Sequence, residues 1–319
     1  MDSSMLDEGS ILGIEIGGTK LQLLLQHVSG QILSREQFKV DSGKGAQGIL
    51  DQMEAGIRNI RAQHSIDAVG VGFGGPIDRD SGVITQSSHI QGWSNFHLTE
   101  WVQEKTGCPA FAENDANVAA LGEALKGSGL GYDSIFYVTI GSSIGGGLVK
   151  NQNLVHGRKP GESEIGLMHV DFEGTLLQDI ASGWGIDQRI RSKKAEFPDS
   201  VLTRAADEDP GNEARHLGAA LEARDAFAQL IYDDTVRYLG WAFSHVVHLI
   251  HPDVFVIGGG VSKLGERIRK SIEEQTAEFV TPGFHPVPPV LLSTLQDDVV
   301  PIGAIELAKQ KMINEHRRQ

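Results

Sequence analysis

The chain has 319 residues, 40% of them hydrophobic and 22% charged, with 42 Asp and Glu against 28 Lys and Arg for a formal net charge of -14. A chain of this length favours two lobes over a single core, and the acidic balance argues against the phosphate-contacting surface of a nucleic-acid binder. Cys108 is the single cysteine, so an intrachain disulfide and a Cys-only metal site are excluded.

The opening residues, MDSSMLDEGS, hold no basic segment leading into an apolar one, and no run of eighteen apolar residues follows anywhere. The expectation is a soluble, cytoplasmic protein with no membrane partner. Ile11 to Leu25 then reads as strand, glycine turn and strand, and ILSREQFKV after Ser29-Gly30-Gln31 completes a meander. Ile49, Met53, Ile57 and Ile60 stand at helical spacing within Gly45 to Gln63, and Ala68 to Phe73 is a buried-type strand ending at Gly74-Gly75-Pro76. A short helix is predicted over Leu98 to Gly107, an extended piece around Phe111, and a helix from the run Glu113 to Asn117 to about Lys126.

The second half repeats the opening pattern. Ser134 to Ile140 is a strand, Gly141 to Gly147 a glycine and serine turn, and Leu148 begins the returning strand. Residues 184 to 210 read as irregular surface with short helices, followed by a helical region broken near Asp233-Asp234 and ended at His251-Pro252. Val254 to Ile257 is a strand meeting Gly258-Gly259-Gly260, Pro282 to Pro289 a loop, Val290 to Leu292 a last strand, and Val299 to about His316 a terminal helix.

Glycine clusters follow four of these strands: Gly17-Gly18, Gly74-Gly75, Gly145-Gly146-Gly147 and Gly258-Gly259-Gly260. Glycine lets backbone approach a ligand closely, which suits turns whose N–H groups point at phosphate oxygens, and Thr19, Thr139, Ser142 and Ser143 add hydroxyls beside them. Each cluster alone also fits an ordinary turn. The dinucleotide fingerprint GxGxxG is not met by Gly13, Gly17 and Gly18, and no GxxxxGK[ST] loop occurs. Asp115 has two readings: a helix cap, or a base that takes the proton of a substrate hydroxyl as a phosphoryl group moves. An Asp with a pKa of about 4 is a weak base, but a hydroxyl acidifies as its bond to phosphorus forms. Asn114 and Glu164 offer the mixed donors and acceptors that orient sugar hydroxyls.

Six segments in order, GIEIGGTK at 13 to 20, VGVGFGGPID at 69 to 78, FAENDANVAALGE at 111 to 123, VTIGSSIGGGLV at 138 to 149, GESEIG at 161 to 166 and PDVFVIGGGVS at 252 to 262, resemble the ROK family. That family groups sugar kinases with transcriptional repressors. The resemblance implies an α/β, two-lobed actin-like ATPase (ribonuclease H-like) fold shared with hexokinase, and glucokinase-like phosphorylation of a hexose or N-acetylhexosamine with ATP and magnesium. It implies Asp115 as catalytic base, with Gly75, Asn114, Glu164 and Gln178 at sugar-pocket positions. Gly17, Gly18, Thr19 and Lys20 match the first phosphate hairpin, Gly141, Ser142 and Ser143 the second, Gly258, Gly259 and Gly260 the adenosine-side turn, and Glu15 the magnesium-associated carboxylate. Relatives are often dimers, so a homodimer is among the implied assemblies.

Two departures stand out. Leu167 replaces the family's histidine, and DFEGTLLQDI before Ala181-Ser182-Gly183 lacks its cysteines, with Gln178 in place of a sugar-contacting glutamate. No structural zinc is expected there, and His169 reads as an ordinary surface residue. The expected partners are a sugar and a nucleotide, and not nucleic acid, because a first strand near residue 11 leaves no room for the repressors' DNA-binding module. The expected lobes are 1–120, completed by 297–319, and 121–296. A rival reading is a catalytically weak sugar-sensing or scaffold protein of the same fold, given Leu167 and Gln178.

Overall fold

A computed structural model describes residues 9–85, 90–159 and 162–316. The polar start through Glu8, Gly161 of the GESEIG segment and the basic end at 317–319 lie outside the described residues. The elements of the first half are β1 (Ser10–Ile16), β2 (Lys20–His27), β3 (Ile32–Lys39), α1 (Gly45–Arg61), β4 (Ala68–Phe73), β5 (Ile77–Asp78), β6 (Val83–Ile84), β7 (Phe96–His97), α2 (Leu98–Thr106), β8 (Ala110–Asn114) and α3 (Asp115–Lys126). The second half holds β9 (Ser134–Ile140), β10 (Ile144–Lys150), β11 (Asn153–Leu154), α4 (Leu177–Ala181), α5 (Gly183–Lys193), α6 (Val201–Glu208), α7 (Leu217–Glu222), α8 (Ala226–Leu249), β12 (Val254–Gly258), α9 (Glu266–Phe279), β13 (Val290–Leu292) and α10 (Val299–His316).

The described residues group into two compact units. One takes in the residues through Gly131, Gly147–Glu162 and those from Leu295; the other takes in Tyr132–Gly146 and Ser163–Thr294. Two five-stranded sheets run in the orders β3-β2-β1-β4-β8 and β11-β10-β9-β12-β13. Each has the same plan: three strands in sequence-reversed order, then two further strands parallel to the first of them. The echo between the two halves of the sequence therefore has a structural counterpart.

In the first unit the strand period of two divides labour between the faces of the sheet. Leu12, Ile14, Ile16, Val69, Val71 and Phe73 join Ile49, Met53 and Ile57 of α1 in one core cluster. The opposite face carries Ile11 and Ala68, packed with Ile305 and Ala308 of α10, and the small residues Gly13, Gly70 and Gly72. A Cβ on Gly70 would stand 1.8 Å from the Ala304 carbonyl oxygen, so helix backbone meets strand backbone there. The same helix meets α3 equally closely, since a Cβ on Gly303 would stand 1.6 Å from the Val118 carbonyl oxygen. In the second unit β12 is buried throughout, and Phe255 on it stacks on Phe243 of α8 at 4.6 Å and meets Phe136 of β9 edge-on at 6.0 Å.

Two readings of the chain need correction, and a third, the short helices expected in residues 184 to 210, is sharpened. Gly145 to Gly147 lie within β10 and not in the turn, which is confined to the residues between Ile140 and Ile144. The glycines serve packing: a Cβ on Gly147 would meet the Ala120 Cβ at 2.7 Å, and one on Gly146 the Ser163 carbonyl oxygen at 2.5 Å. The helical region does not break at Asp233-Asp234, because Asp233 accepts from Gln229 at 2.6 Å and Asp234 pairs with Arg189 at 2.7 Å on an unbroken α8. The break comes earlier, where Asp225 caps α8 by accepting the Ala228 N–H at 2.9 Å. Residues 184 to 210 are mostly the helices α5 and α6, capped by Ser182 and Ser200.

Two predictions follow from this packing. Gly303→Ala is expected to lower stability by about 1–3 kcal/mol, the usual cost of overpacking, whereas Gly283→Ala, with open space around its Cβ, is neutral within about 0.5 kcal/mol; equal thermal midpoints would refute the close approach. The second concerns Asp298, which accepts from Arg35 Nη2 at 2.7 Å and from Gln22 Nε2 at 2.9 Å. Burial pushes its carboxyl up, but the Arg35 guanidinium and the Gln22 amide outweigh burial and hold it below the ordinary carboxylate value. An acid with a depressed folded pKa contributes stability above its unfolded value near pH ~4, and that contribution fades as pH falls through the folded value. Arg35→Gln should cost at most about 1 kcal/mol at pH 7, and the gap from wild type should close in denaturation curves as pH falls through the depressed folded value of Asp298. A gap that persists there would assign the loss to something other than this pair.

Candidate functional site

Parallel pairing brings three strand ends of the first unit into line. Ile16 is registered with Phe73, and Phe73 with Asn114, so the residues that follow each strand emerge side by side. Open α/β sheets bind ligands beyond such carboxyl ends. The β1–β2 turn is closed by the Gly17 N–H donating to the Lys20 carbonyl at 2.9 Å, and Gly74 is tied to it by an N–H bond to the Ile16 carbonyl at 2.9 Å. Gly18 and Thr19 are exposed at its tip. Gly75 follows, half-buried, its N–H bonded to the Phe73 carbonyl.

Asn114 and Asp115 divide the two roles that the sequence left open for Asp115. Asn114 is the cap of α3: its Oδ1 accepts the N–H groups of Ala116 at 2.9 Å and Asn117 at 3.2 Å. Asp115 is the first residue of the helix, where the positive end of the helix dipole favours an anion. Its Oδ1 accepts the Ala116 N–H at 2.8 Å, and its Oδ2 would lie 3.2 Å from a Cβ on Gly74, which in turn would be 3.7 Å from the Gly17 Cα. The carboxylate, the Gly74 turn and the first hairpin thus share one corner of the first unit.

Glu15 sits at the base of that hairpin. Lys20 Nζ is 2.7 Å from its Oε2 and also donates to the Asp297 carbonyl at 3.2 Å. Burial raises the Glu15 carboxyl above its ordinary value; Lys20 opposes the rise, and the nearby Asp297 and Asp298 reinforce it. Its Oε2 is buried and, despite the ion pair, has no partner in hydrogen-bond geometry. Such a carboxylate suits a cation or its bound water better than a second anion.

In the second unit Thr139 is registered with Gly258, so the β9–β10 turn and Gly259-Gly260 emerge together. The Gly141 N–H donates to the Ser143 carbonyl at 2.9 Å, and Ser142 and Ser143 are exposed. A Cβ on Gly259 would stand 2.6 Å from the Ile140 carbonyl, so only a glycine brings the two turns this close. The N-terminus of α5 closes on the same turn, with the Gly183 N–H donating to the Gly141 carbonyl at 2.7 Å. Glu164 is exposed just before the short 3-10 turn Ile165–Leu167, and Gln178 is half-buried in α4.

Several residues near these turns were not singled out from the sequence. Ile90 and Trp93 line a small cavity with Gly17, Gly18 and Gly74. The Trp93 indole is 1% exposed, and its Nε1 is without a hydrogen-bond partner among the described residues. Glu113, inside the FAENDANVAALGE segment, is buried behind Asn114. Its Oε1 accepts the Asn114 N–H at 2.9 Å and Asn117 Nδ2 at 3.2 Å. Burial raises its carboxyl, against the pull of the Asn114 N–H and of His156. Glu162 is also buried in part, yet its bonds from His156 and Asn117 bring its carboxyl below the ordinary value. The four-residue spacing of Glu113 and Asn117 was visible in the sequence; their convergence with His156 and Glu162 was not.

Comparison with known proteins supplies the family. A family model described as ROK matches residues 11–311. A glucokinase of Halalkalibacterium halodurans is 31% identical over 315 residues, covering 94% of this chain and 95% of that protein. A glucokinase of Thermotoga maritima is 29% identical over 310 residues, covering 95% and 98%. A solved ROK family glucokinase from Streptomyces griseus, in complex with glucose and AMPPNP, matches with a TM-score of 0.84 at 28% identity, covering 95% of this chain and 100% of that one. With that likeness the architecture is the two-lobed actin-like ATPase fold. On a family match that spans nearly its whole length, this chain belongs to the ROK family.

Proposed function

We propose that the chain is a sugar kinase that transfers the terminal phosphoryl group of ATP to a hydroxyl of a hexose or N-acetylhexosamine, with Asp115 as general base. The observation that carries this reading is the place of the Asp115 carboxylate, at the start of α3 and against the Gly74 and Gly17 turns. A base for phosphoryl transfer belongs beside the turn that holds the phosphates, because positioning and charge stabilisation do most of the work in this reaction. The names of the glucokinase relatives point the same way.

In this reading Gly17 and Gly141 close the two turns through their own N–H bonds, and the exposed tips at Gly18 and Thr19, with Lys20, and at Ser142 and Ser143 steady phosphate oxygens; Gly258 to Gly260 face the adenosine. Glu15 would hold magnesium through bound water, consistent with its buried Oε2 outside hydrogen-bond geometry. When bound, the ion neutralises charge on the phosphate oxygens. Gly75, Asn114, Glu164 and Gln178 orient the sugar, and Asp115 accepts the proton of the attacking hydroxyl. Asn114, fixed by its capping bonds, holds the start of the helix so that Asp115 keeps its aim. The reading takes the protein as a cytoplasmic enzyme of small molecules; no helix among the described residues is long and apolar enough to cross a membrane.

A second reading, a weakly catalytic sugar sensor, draws on Leu167, which is 49% exposed where family kinases carry histidine. A sugar hydroxyl left without its partner costs on the order of 1–3 kcal/mol, enough to alter preference among sugars by one or two decades.

A coupled assay of ATP consumption over a panel of hexoses and N-acetylhexosamines tests both readings. Turnover with at least one sugar is expected, and Asp115→Asn should lower kcat by about 10²–10⁴-fold, the usual share of a general base, with nucleotide affinity kept. No turnover with any sugar would favour the sensor, and near-normal turnover in the variant would remove Asp115 from its role. Leu167→His combined with Gln178→Glu should shift the ranking of sugars by at least about tenfold; an unchanged ranking would show that neither position faces the sugar.

A further inference from the structure

Behind Asn114, the first unit gathers three potential ligands from separate stretches of chain: Glu113 at the end of β8, and His156 and Glu162 in the segment after β11. One ligand atom from each lies within 4.8 Å of the others. Their side chains are 3%, 22% and 11% exposed, which separates them from the solvated acidic clusters common on protein surfaces.

The hydrogen bonding gives the cluster an inside and an outside. Glu113 Oε1 is occupied by the Asn114 N–H and by Asn117 Nδ2, and Glu162 Oε1 by Arg79 Nη1 at 3.1 Å. The Oε2 atoms of both carboxylates turn to the imidazole, Glu162 Oε2 at 3.2 Å from Nδ1 and Glu113 Oε2 at 3.5 Å from Nε2. Asn117 Nδ2 also donates to Glu162 Oε2 at 2.7 Å, spanning the two carboxylates. Donors that fix the carboxylates of a metal site are its usual surroundings; here Arg79 and Asn117 fill that place, and the Asn117 bond to the inward Glu162 Oε2 is one an ion would share or replace.

Charge points to the same conclusion. Arg79 answers Glu162 alone, so the buried Glu113 has no cation but His156 beside it; along the chain Arg158 is exposed, and Lys159 is taken up by Asp78 and Asp80. One negative charge is left over in a poorly solvated place, and burying it without compensation is costly. The compensation is a proton shared through His156 or a metal ion. The donor set of one nitrogen and two carboxylate oxygens suits zinc or a similar divalent transition ion better than magnesium, which prefers oxygen alone. Ligands about 2.0–2.2 Å from a tetrahedral ion lie ~3.4 Å apart, so a separation of up to 4.8 Å has to close by as much as ~1.4 Å, a side-chain adjustment.

We propose that Glu113, His156 and Glu162 bind one divalent transition-metal ion of the zinc class, which pins the segment after β11 to the start of α3. The site uses none of the residues Leu167, His169 and Gln178, and it stands independently of the kinase reading because its test does not read turnover.

The full chain, dialysed against chelator and then freed of it, is titrated with Zn²⁺ by calorimetry, and its thermal midpoint is followed in parallel. Wild type is expected to take one ion per chain with micromolar or tighter affinity and to gain in midpoint. His156→Gln and Glu162→Gln are expected to bind at least about tenfold more weakly and to lose that gain, while keeping a cooperative transition without metal. Should one variant fail to fold, the other carries the comparison. Absence of binding to wild type up to about 100 µM Zn²⁺, a concentration that would nearly fill a site of micromolar affinity, would overturn the proposal in favour of the proton. Binding to both variants as tight as to wild type would overturn it too, by placing the ion on other residues among the twelve histidines.

Discussion

The first unit depends on the contact of α10 backbone with strand and helix backbone. Ala304 faces Gly70 and Gly303 faces Val118 with no side chain between them, so the backbone of α10 lies directly against β4 and α3. That approach has a cost, since glycine gives up conformational entropy on ordering, and it needs small residues on one face of the sheet only. The other face keeps its large residues for α1. Because α10 touches β4 and α3 at once, it sets the angle at which α3 leaves β8, and so the place of Asp115 relative to the Gly17 and Gly74 turns.

Electrostatics in the same unit follow from this burial. Glu15 is drawn beneath the first hairpin near Asp297 and Asp298, which precede α10. Lys20 answers Glu15, and Arg35 with Gln22 answers Asp298. The hairpin therefore stands over a patterned set of charges in which Glu15 and Asp298 each have a cationic partner.

Much of this was legible in the sequence, for reasons that can be stated residue by residue. The strands β1, β4, β9 and β12 announce themselves because a strand buried on both faces is nearly continuous in apolar residues, and each is punctuated by glycine. The helix α1 shows its buried stripe at Ile49, Met53, Ile57 and Ile60. What the sequence hid is long-range. Nothing local distinguishes Gly146 and Gly147 of β10 from glycines of a turn; the difference is the presence of Ser163 against the first and of Ala116 and Ala120 from α3 against the second. The adjacent acids Asp233 and Asp234 look like a helix break until Arg189 and Gln229 supply their partners. His156 and Glu162 have no meaning until the fold returns them to Glu113, over forty positions away.

The register Ile16–Phe73–Asn114 limits where this chain can grow. One residue added before any of those strand ends would advance its turn by about 3.3 Å and swap inward for outward side chains, carrying a glycine or the Asp115 carboxylate out of the shared corner. Length variation among natural variants should accordingly collect at the opposite mouths of the strands and in the excursion between β5 and α2, leaving the spacing from each strand end to its turn untouched.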